Sequence, residues 1–264
     1  MSDSPATTPW LLPTVSLWRR EMTRFIRQRS RIVGALGTPI VFWLLIGSGL
    51  RDSFRMPGTD GGLNYLQYAF PGTIVLILLF TAIFSTISII EDRREGFLQS
   101  VLASPAPRSA IVMGKVLGSA SLAVIQAVLF LLLAPTVGVS FSVASFLAVL
   151  AALIVLSIGL SALGVLIAWP MDSTQGFHAV MNLFLMPMWL LSGAFFPASG
   201  ASSWLSWIMA VNPLTYGVAA VRHALYWGTD QTLASDPSLA VSIGVTIGST
   251  LVVIALATWC VSRR

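Results

Sequence analysis

Six stretches of this chain run without a single Asp, Glu, Lys or Arg: 32–50, 69–90, 116–134, 141–169, 177–196 and 239–261. An α-helix needs roughly 20 apolar residues to cross a bilayer. Each stretch is therefore long enough to span, and the third extends back to about 110 if Lys115 is held near the membrane edge. Inside hydrocarbon the backbone must satisfy its own polar groups, which leaves helices as the structure for such segments. The expected fold is an all-α integral membrane protein with six transmembrane helices. Residues 1–31 precede the single membrane domain, 32–264. A mean hydropathy of +0.84 and a charged fraction of 9% agree, because soluble domains carry about 25% charged residues.

Basic residues set the orientation. With the N-terminus in the cytoplasm, Arg19, Arg20, Arg24, Arg27, Arg29, Arg31, Arg93, Arg94, Arg108, Lys115, Arg263 and Arg264 all fall inside, against Arg51, Arg55 and Arg222 outside. This is a strong positive-inside bias, and it places both termini in the cytoplasm. The arginine-rich lead into the first span, with no small-residue cleavage site at its end, reads as a retained anchor. The formal charge of +5 is thus a membrane-topology signal, and no nucleic-acid partner is expected. One cysteine, Cys260, excludes an intrachain disulfide.

Between the spans, three segments have their own patterns. In 9–31 the apolar Leu11, Val15, Trp18, Met22, Phe25 and Ile26 recur at steps of three and four, with arginines largely on the other face. That is an amphipathic helix lying in the membrane interface. The outer segment 197–238 is rich in Trp and Tyr. Its two short helical stretches, 204–211 and 214–227, are expected to rest at the outer interface or dip into it, with Asn212 and Pro213 as cap and first residue of the second. The third segment starts with five consecutive charges, Glu91, Asp92, Arg93, Arg94 and Glu95. After Gly96, the residues Phe97, Leu98, Val101 and Leu102 share one helical face, and Ser104-Pro105-Ala106-Pro107 ends the helix.

Catalytic chemistry finds no foothold. Gly114-Lys115-Val116 lacks the hydroxyl and the earlier glycine of a phosphate-binding loop, and His178 and His223 have no acidic neighbour in sequence. No catalytic residue and no metal site is expected. The spans also lack the intramembrane carboxylates and cations that ion-coupled transporters use. Any uphill transport must draw its energy from another subunit. Ser85, Ser88 and Asn182 are candidates for a polar path or a seam between two copies. The small-residue rows Ala110/Gly114/Gly118 and Gly244/Gly248 suit close helix packing, either between copies or within one chain.

The run Glu91–Lys115, E-D-R-R-E-G-F-L-Q-S-V-L-A-S-P-A-P-R followed by G-K, resembles the segment typical of ABC-2 type permeases. Phe70-Pro71-Gly72 opening the second span, Ser192–Pro197 closing the fifth, and Asn212–Tyr216 followed by Arg222 match the family's landmarks in order. The resemblance covers essentially the whole chain. It implies a compact six-span bacterial inner-membrane permease, paired as a homodimer or with a similar permease. Two separate ABC ATPase subunits would bind ATP and Mg, so this chain itself needs no cofactor. Glu91, Arg93, Arg94, Glu95, Gly96, Phe97, Leu98, Val101, Leu102, Pro105 and Arg108 would form the coupling helix that docks on the ATPase. The N-terminal helix would be a connecting helix, and Asn212, Pro213, Tyr216 and Arg222 would belong to an outer re-entrant lid. Gln99 departs from the glutamate frequent in the family. The implied function is export of a lipophilic or amphipathic substrate; the competing expectation is a channel-like or structural membrane protein with no ATPase.

Overall fold

The computed structural model describes residues 10–27, 64–140, 142–228 and 236–263, together with scattered positions within 33–49. The first expected span, 32–50, is described only at scattered positions, and nine of its 19 residues lie outside the described residues. Ten α-helices are described continuously: α1 (Leu11–Arg27), α2 (Tyr65–Ser85), α3 (Ser88–Arg94), α4 (Phe97–Ala103), α5 (Arg108–Leu131), α6 (Val143–Ala168), α7 (Thr174–Trp189), α8 (Ser203–Val211), α9 (Pro213–Leu225) and α10 (Leu239–Ser262). Among the described residues there is no strand. Five helical runs are long and apolar enough to cross a membrane: Tyr65–Arg94, Arg108–Leu131, Val143–Ala168, Thr174–Ala194 and Leu239–Ser262. The chain is an all-α polytopic membrane protein.

The central helix is α2. Ile74, Val75, Ile77, Leu78, Ala82 and Ile83 are all fully buried, surrounded by α5, α6, α9 and the end of α7. Asn64 starts α2 with a reciprocal cap: its side chain accepts from the Gln67 amide at 2.9 Å, and its own amide donates to Gln67 Oε1 at 3.1 Å. Pro71, inside the helix, has no amide to give to the Gln67 carbonyl. The Tyr226 hydroxyl supplies that missing donor at 2.8 Å, which ties the end of α9 to the start of α2.

The second expected span, 69–90, is longer than the uncharged run suggests, because α3 carries the helix on through Arg94 after a turn at Thr86 and Ile87. The tight hairpin expected at 135–140 is a 3-10 turn, Ala134–Val137, closed by Gly138 at φ 76°. A β-carbon strains that left-handed backbone.

The stretch 214–227, expected to rest at the outer interface or to dip into it, is largely enclosed by the bundle. Helices α8 and α9 meet at a bend of 79°, and α9 turns inward to pack on α6, α10 and α2, with Leu214, Val218, Val221 and Leu225 buried. Exposed indoles remain at Trp204 and Trp207 of α8 and at Trp227, just past the end of α9. The physical reason is α9's small residues (Gly217, Ala219, Ala220 and Ala224), which let it sit against Leu156 and its neighbours.

Of the two uses expected for the row Ala110/Gly114/Gly118, the structure shows packing within the chain, because α1 occupies it. A β-carbon on Gly114 would stand 2.7 Å from Leu17 Cβ, and one on Gly118 would stand 2.7 Å from Glu21 Cβ. The contacts step along both helices in the same direction: Trp10 Nε1 donates to Ser109 Oγ at 3.2 Å and Trp18 Nε1 to Ser121 Oγ at 3.1 Å. Gly244 and Gly248, by contrast, face open space.

This packing makes a differential prediction. Gly118→Val should cost about 1–3 kcal/mol by overpacking and expose α1 to protease, whereas Gly244→Val should leave thermal unfolding in detergent within a degree or two. Equal tolerance at both positions would contradict the α1–α5 contact.

Candidate functional site

The five-charge run is spent mostly on the protein itself. Asp92 is completely buried. Its two oxygens accept from Arg20 at 2.9 and 2.7 Å, from Arg24 at 2.8 Å and from the Lys115 ammonium. Lys115 also bonds the Glu21 carboxylate and donates to Ser88 Oγ at 3.2 Å. Arg24 reaches on to Glu91 at 2.8 Å and to Glu95 at 3.5 Å. Helices α1, α3 and α5 are thus fastened at one point by three cations and four carboxylates. A buried carboxylate is tolerated only when its lone pairs are taken up by charged donors, and Asp92 meets that condition. Burial works against the charge of Arg20. Hydrogen bonding and attraction to Asp92, with help from Glu21 and Glu95, outweigh it and hold the guanidinium pKa above that of a free arginine.

The next two residues point the other way. Arg93 NH1 donates to the Met171 carbonyl at 2.9 Å and to Asp172 Oδ1 at 3.0 Å, and its NH2 donates to the Trp169 carbonyl. Arg94 donates to the Asp172 carbonyl at 3.1 and 2.8 Å. These bonds satisfy carbonyls freed where α6 ends, so the α6–α7 connection is tied to the same cluster.

Gly96 then takes φ 77°, and the chain turns into α4. Here the expectation that the apolar face docks outward is corrected. Leu98 is 2% exposed and belongs to the core, with Leu102 packed against it. The Phe97 ring carries Arg20 stacked on it, the guanidinium carbon 3.6 Å from the ring centroid. A seven-residue helix at the edge of a membrane domain buries its apolar residues in the nearest core, and that core is its own. The outward positions are Gln99, Ser100, Ala103, Ser104 and Pro105, with Val101 half-buried. Arg108 begins α5 half-buried.

Of the candidates for a polar path, Ser85 and Ser88 are enclosed within the chain. Ser85 Oγ donates to its own helix at Ala82, and Ser88 accepts from Lys115. They are not at a seam, because α2 is surrounded on all sides. Asn182 is different. It sits on the open face of α7 beside Leu183 and Phe184, which are 67% and 63% exposed.

The opposite end of the bundle is held by a second lock. Arg222 is 2% exposed, bonds both oxygens of Asp236 at 2.7 and 2.8 Å, donates to the Gly193 carbonyl at 2.9 Å and lies 4.7 Å from the Tyr68 ring centroid. The Tyr68 hydroxyl donates to the same Gly193 carbonyl at 2.8 Å. Gly193 has φ 74° in a π-turn, Leu190–Ala194, that ends α7. Asn212 caps two helices at once. Its Oδ1 accepts from Leu214 N at 3.0 Å, and its Nδ2 donates to the carbonyls of Met188 at 2.6 Å and Leu191 at 3.1 Å. Tyr216 closes the α8–α9 bend through the Ala210 carbonyl at 2.8 Å. The four outer residues expected from sequence, Asn212, Pro213, Tyr216 and Arg222, therefore lie around one break in the helical structure.

Sequence reasoning left Asp92, Glu21 and Lys115 out of the site. For two of them the available signal was isolation: Glu21 is an acid inside the arginine-rich helix, and Lys115 is a lysine at the edge of an apolar span.

A family model described as ABC-2 type transporter matches residues 14–226. A putative transport permease ycf38 of Cyanophora paradoxa is 25% identical over 243 residues, covering 91% of this chain and 83% of its own length. Nodulation protein J of Sinorhizobium fredii (strain NBRC 101917 / NGR234) is 26% identical over 223 residues, 82% of each chain. A probable multidrug ABC transporter permease, YbhR of Escherichia coli (strain K12), is 26% identical over 159 residues, 58% of this chain and 42% of that one.

Two substitutions test the locks. Asp92→Ala leaves Lys115 and two guanidiniums without their common acceptor and should destabilise by about 3–5 kcal/mol. Glu21→Gln should cost less than half of that, and equal losses in thermal unfolding would remove Asp92 from the centre. Arg222→Lys keeps the charge, but a single ammonium nitrogen cannot stand both where NH1 meets Asp236 and where NH2 meets the Gly193 carbonyl. It should lower the unfolding temperature measurably, and an unchanged transition would show that the outer lock carries no load.

Proposed function

From the premise that this chain belongs to the ABC-2 type transporter family and is a membrane transport permease subunit, we propose that it works as the membrane half of an ATP-driven exporter. Separate ABC ATPases, two per complex, bind ATP and Mg and dock at α4. The charged end faces the cytoplasm of a bacterial inner membrane, an orientation that the positive-inside distribution of basic residues supports. The observation that carries this reading is the construction of α4. Its apolar side is anchored inward at Leu98 and Leu102, while Gln99, Ser100, Ala103 and Ser104 face out. It is a rigid knob and not a floppy loop.

A push on such a knob is passed on by its fastenings. Phe97 bears on Arg20, Arg20 on Asp92, and Asp92 on Lys115, so α4, α1, α3 and α5 move together. Displacement at α3 is continuous with α2, whose far end meets the broken end of α7 through Tyr68 and Gly193. The π-turn and the 79° bend are the places where the bundle yields with the fewest helical bonds to break.

Two copies pair in this reading. A polar amide on an apolar face is costly in hydrocarbon, so the exposed Asn182 supports pairing through α7. The substrate is lipophilic or amphipathic, in keeping with the uncharged spans. The Escherichia coli relative, described as a multidrug ABC transporter permease, supports both the ABC drive and that class of cargo.

Phe97 and Leu102 are poor probes because they pack inward. Ser100→Trp with Ala103→Arg alters the outward face alone. The double variant should lose at least tenfold in ATPase copurification and in permease-stimulated ATP hydrolysis, with the detergent unfolding temperature unchanged. Normal ATPase association and transport in that variant would refute docking at α4.

A further inference from the structure

Helix α1 has three faces, one residue apart in register. Thr14, Leu17, Glu21 and Phe25 pack on α5 and are buried. Leu11, Val15 and Ile26 form an exposed apolar row, at 66%, 53% and 62% exposure. Ser16, Arg19, Thr23 and Arg27 form a third row at steps of three and four, and all four are exposed. This third row lines an open groove of about 650 Å³ together with Arg20, Arg24 and Glu95.

The charges in the groove are unevenly committed. Arg20 and Arg24 are held by Asp92, Glu91 and Glu95. Arg19 and Arg27 have no carboxylate partner among the described residues, and nothing in the fastening of α1 to α5 uses them. They are eight residues apart, about 12 Å along the helix, with the Thr23 hydroxyl between them. The Thr23 hydroxyl donates to the Arg19 carbonyl at 2.9 Å, so the donors on offer are the two guanidiniums, which fit the oxygens of a phosphate ester. The apolar row beside them fits hydrocarbon. Both rows lie where α1 runs along the first turns of α5, from Ser109 to Ser121, the end of the span where the charged cluster marks the membrane boundary.

We propose that the Ser16/Arg19/Thr23/Arg27 row of α1 seats the phosphate headgroup of an anionic membrane phospholipid, whose acyl chains lie against Leu11, Val15 and Ile26. The committed pair, Arg20 and Arg24, holds the helix in place, and the uncommitted pair, Arg19 and Arg27, holds the lipid. The permease thereby reads the charge of the leaflet it faces, independently of what it transports.

The test uses the full-length permease purified in neutral detergent and titrated with phosphatidylglycerol, phosphatidylcholine or glycerol phosphate, with bound lipid counted by native mass spectrometry. Phosphatidylglycerol should bind saturably and raise the unfolding temperature. At low salt the Arg19→Gln/Arg27→Gln double variant should bind it on the order of 20- to 30-fold more weakly, with its lipid-free unfolding temperature unchanged. Leu11→Gln/Ile26→Gln should also weaken lipid binding, which a site for phosphate alone would not predict. Equal binding of phosphatidylcholine, saturation by glycerol phosphate at the same concentration, or an undiminished lipid response in the arginine double variant would each overturn the proposal. Intact lipid binding by that variant with loss of a copurifying ATPase would assign the row to a protein partner instead.

Discussion

Everything at the charged end depends on Asp92 being ionised and out of water. With no solvent at its oxygens, it must be met by donors, and Arg20, Arg24 and Lys115 come from two other helices to meet it. That requirement brings α1 against α5 and sets the height of Lys115 in its span. It also determines which way Arg93 and Arg94 face. A buried ion group of this kind is a weak source of net stability, since desolvation offsets much of the attraction. Its value is specificity: no other register of α1 on α5 brings Glu21 to Lys115 while laying Leu17 over Gly114.

The outer end solves a different problem with the same means. The helical structure is broken at Leu190–Ala194 and again between α8 and α9, and each break frees carbonyls inside an apolar protein. Arg222, Asn212, Tyr68 and Tyr216 take them up, while Tyr226 serves the Gln67 carbonyl that Pro71 leaves free in α2. Backbone of this sort is tolerated at membrane depth only when enclosed by protein, and α9 supplies the enclosure. The two ends are joined by α2, which is buried along nearly its whole length. A rigid central strut with a charged clamp at one end and a set of satisfied breaks at the other can carry a displacement across a membrane.

The spans and the Ser-Pro-Ala-Pro exit from α4 were legible because each rests on local physics: run length without charge, and proline geometry. The amphipathic α1 was legible too, though only as having an apolar and a basic side. Periodicity ranks faces by polarity and cannot say which apolar face meets protein and which meets lipid. Hence Phe25 and Val15 read alike in sequence, yet one is buried and the other is exposed. For the same reason the apolar side of α4 read as a docking face when Leu98 is part of the core.

By itself, the sequence determined that the chain must cross a membrane as helices. It determined where those helices run between charged segments, since both follow from residue type and spacing. Only the tertiary structure decided how the charges were divided. Asp92 and Glu91 are neighbours in a five-charge run, but helical geometry turns one into the core and leaves the other near the surface. Pairing then depends on what other helices bring to each side. All five charges of that run make contacts within the protein, and the exposed side of α4 is the uncharged one, Gln99 to Ser104. Coulomb attraction acts through space between helices far apart in sequence, so no reading along the chain could have assigned those partners.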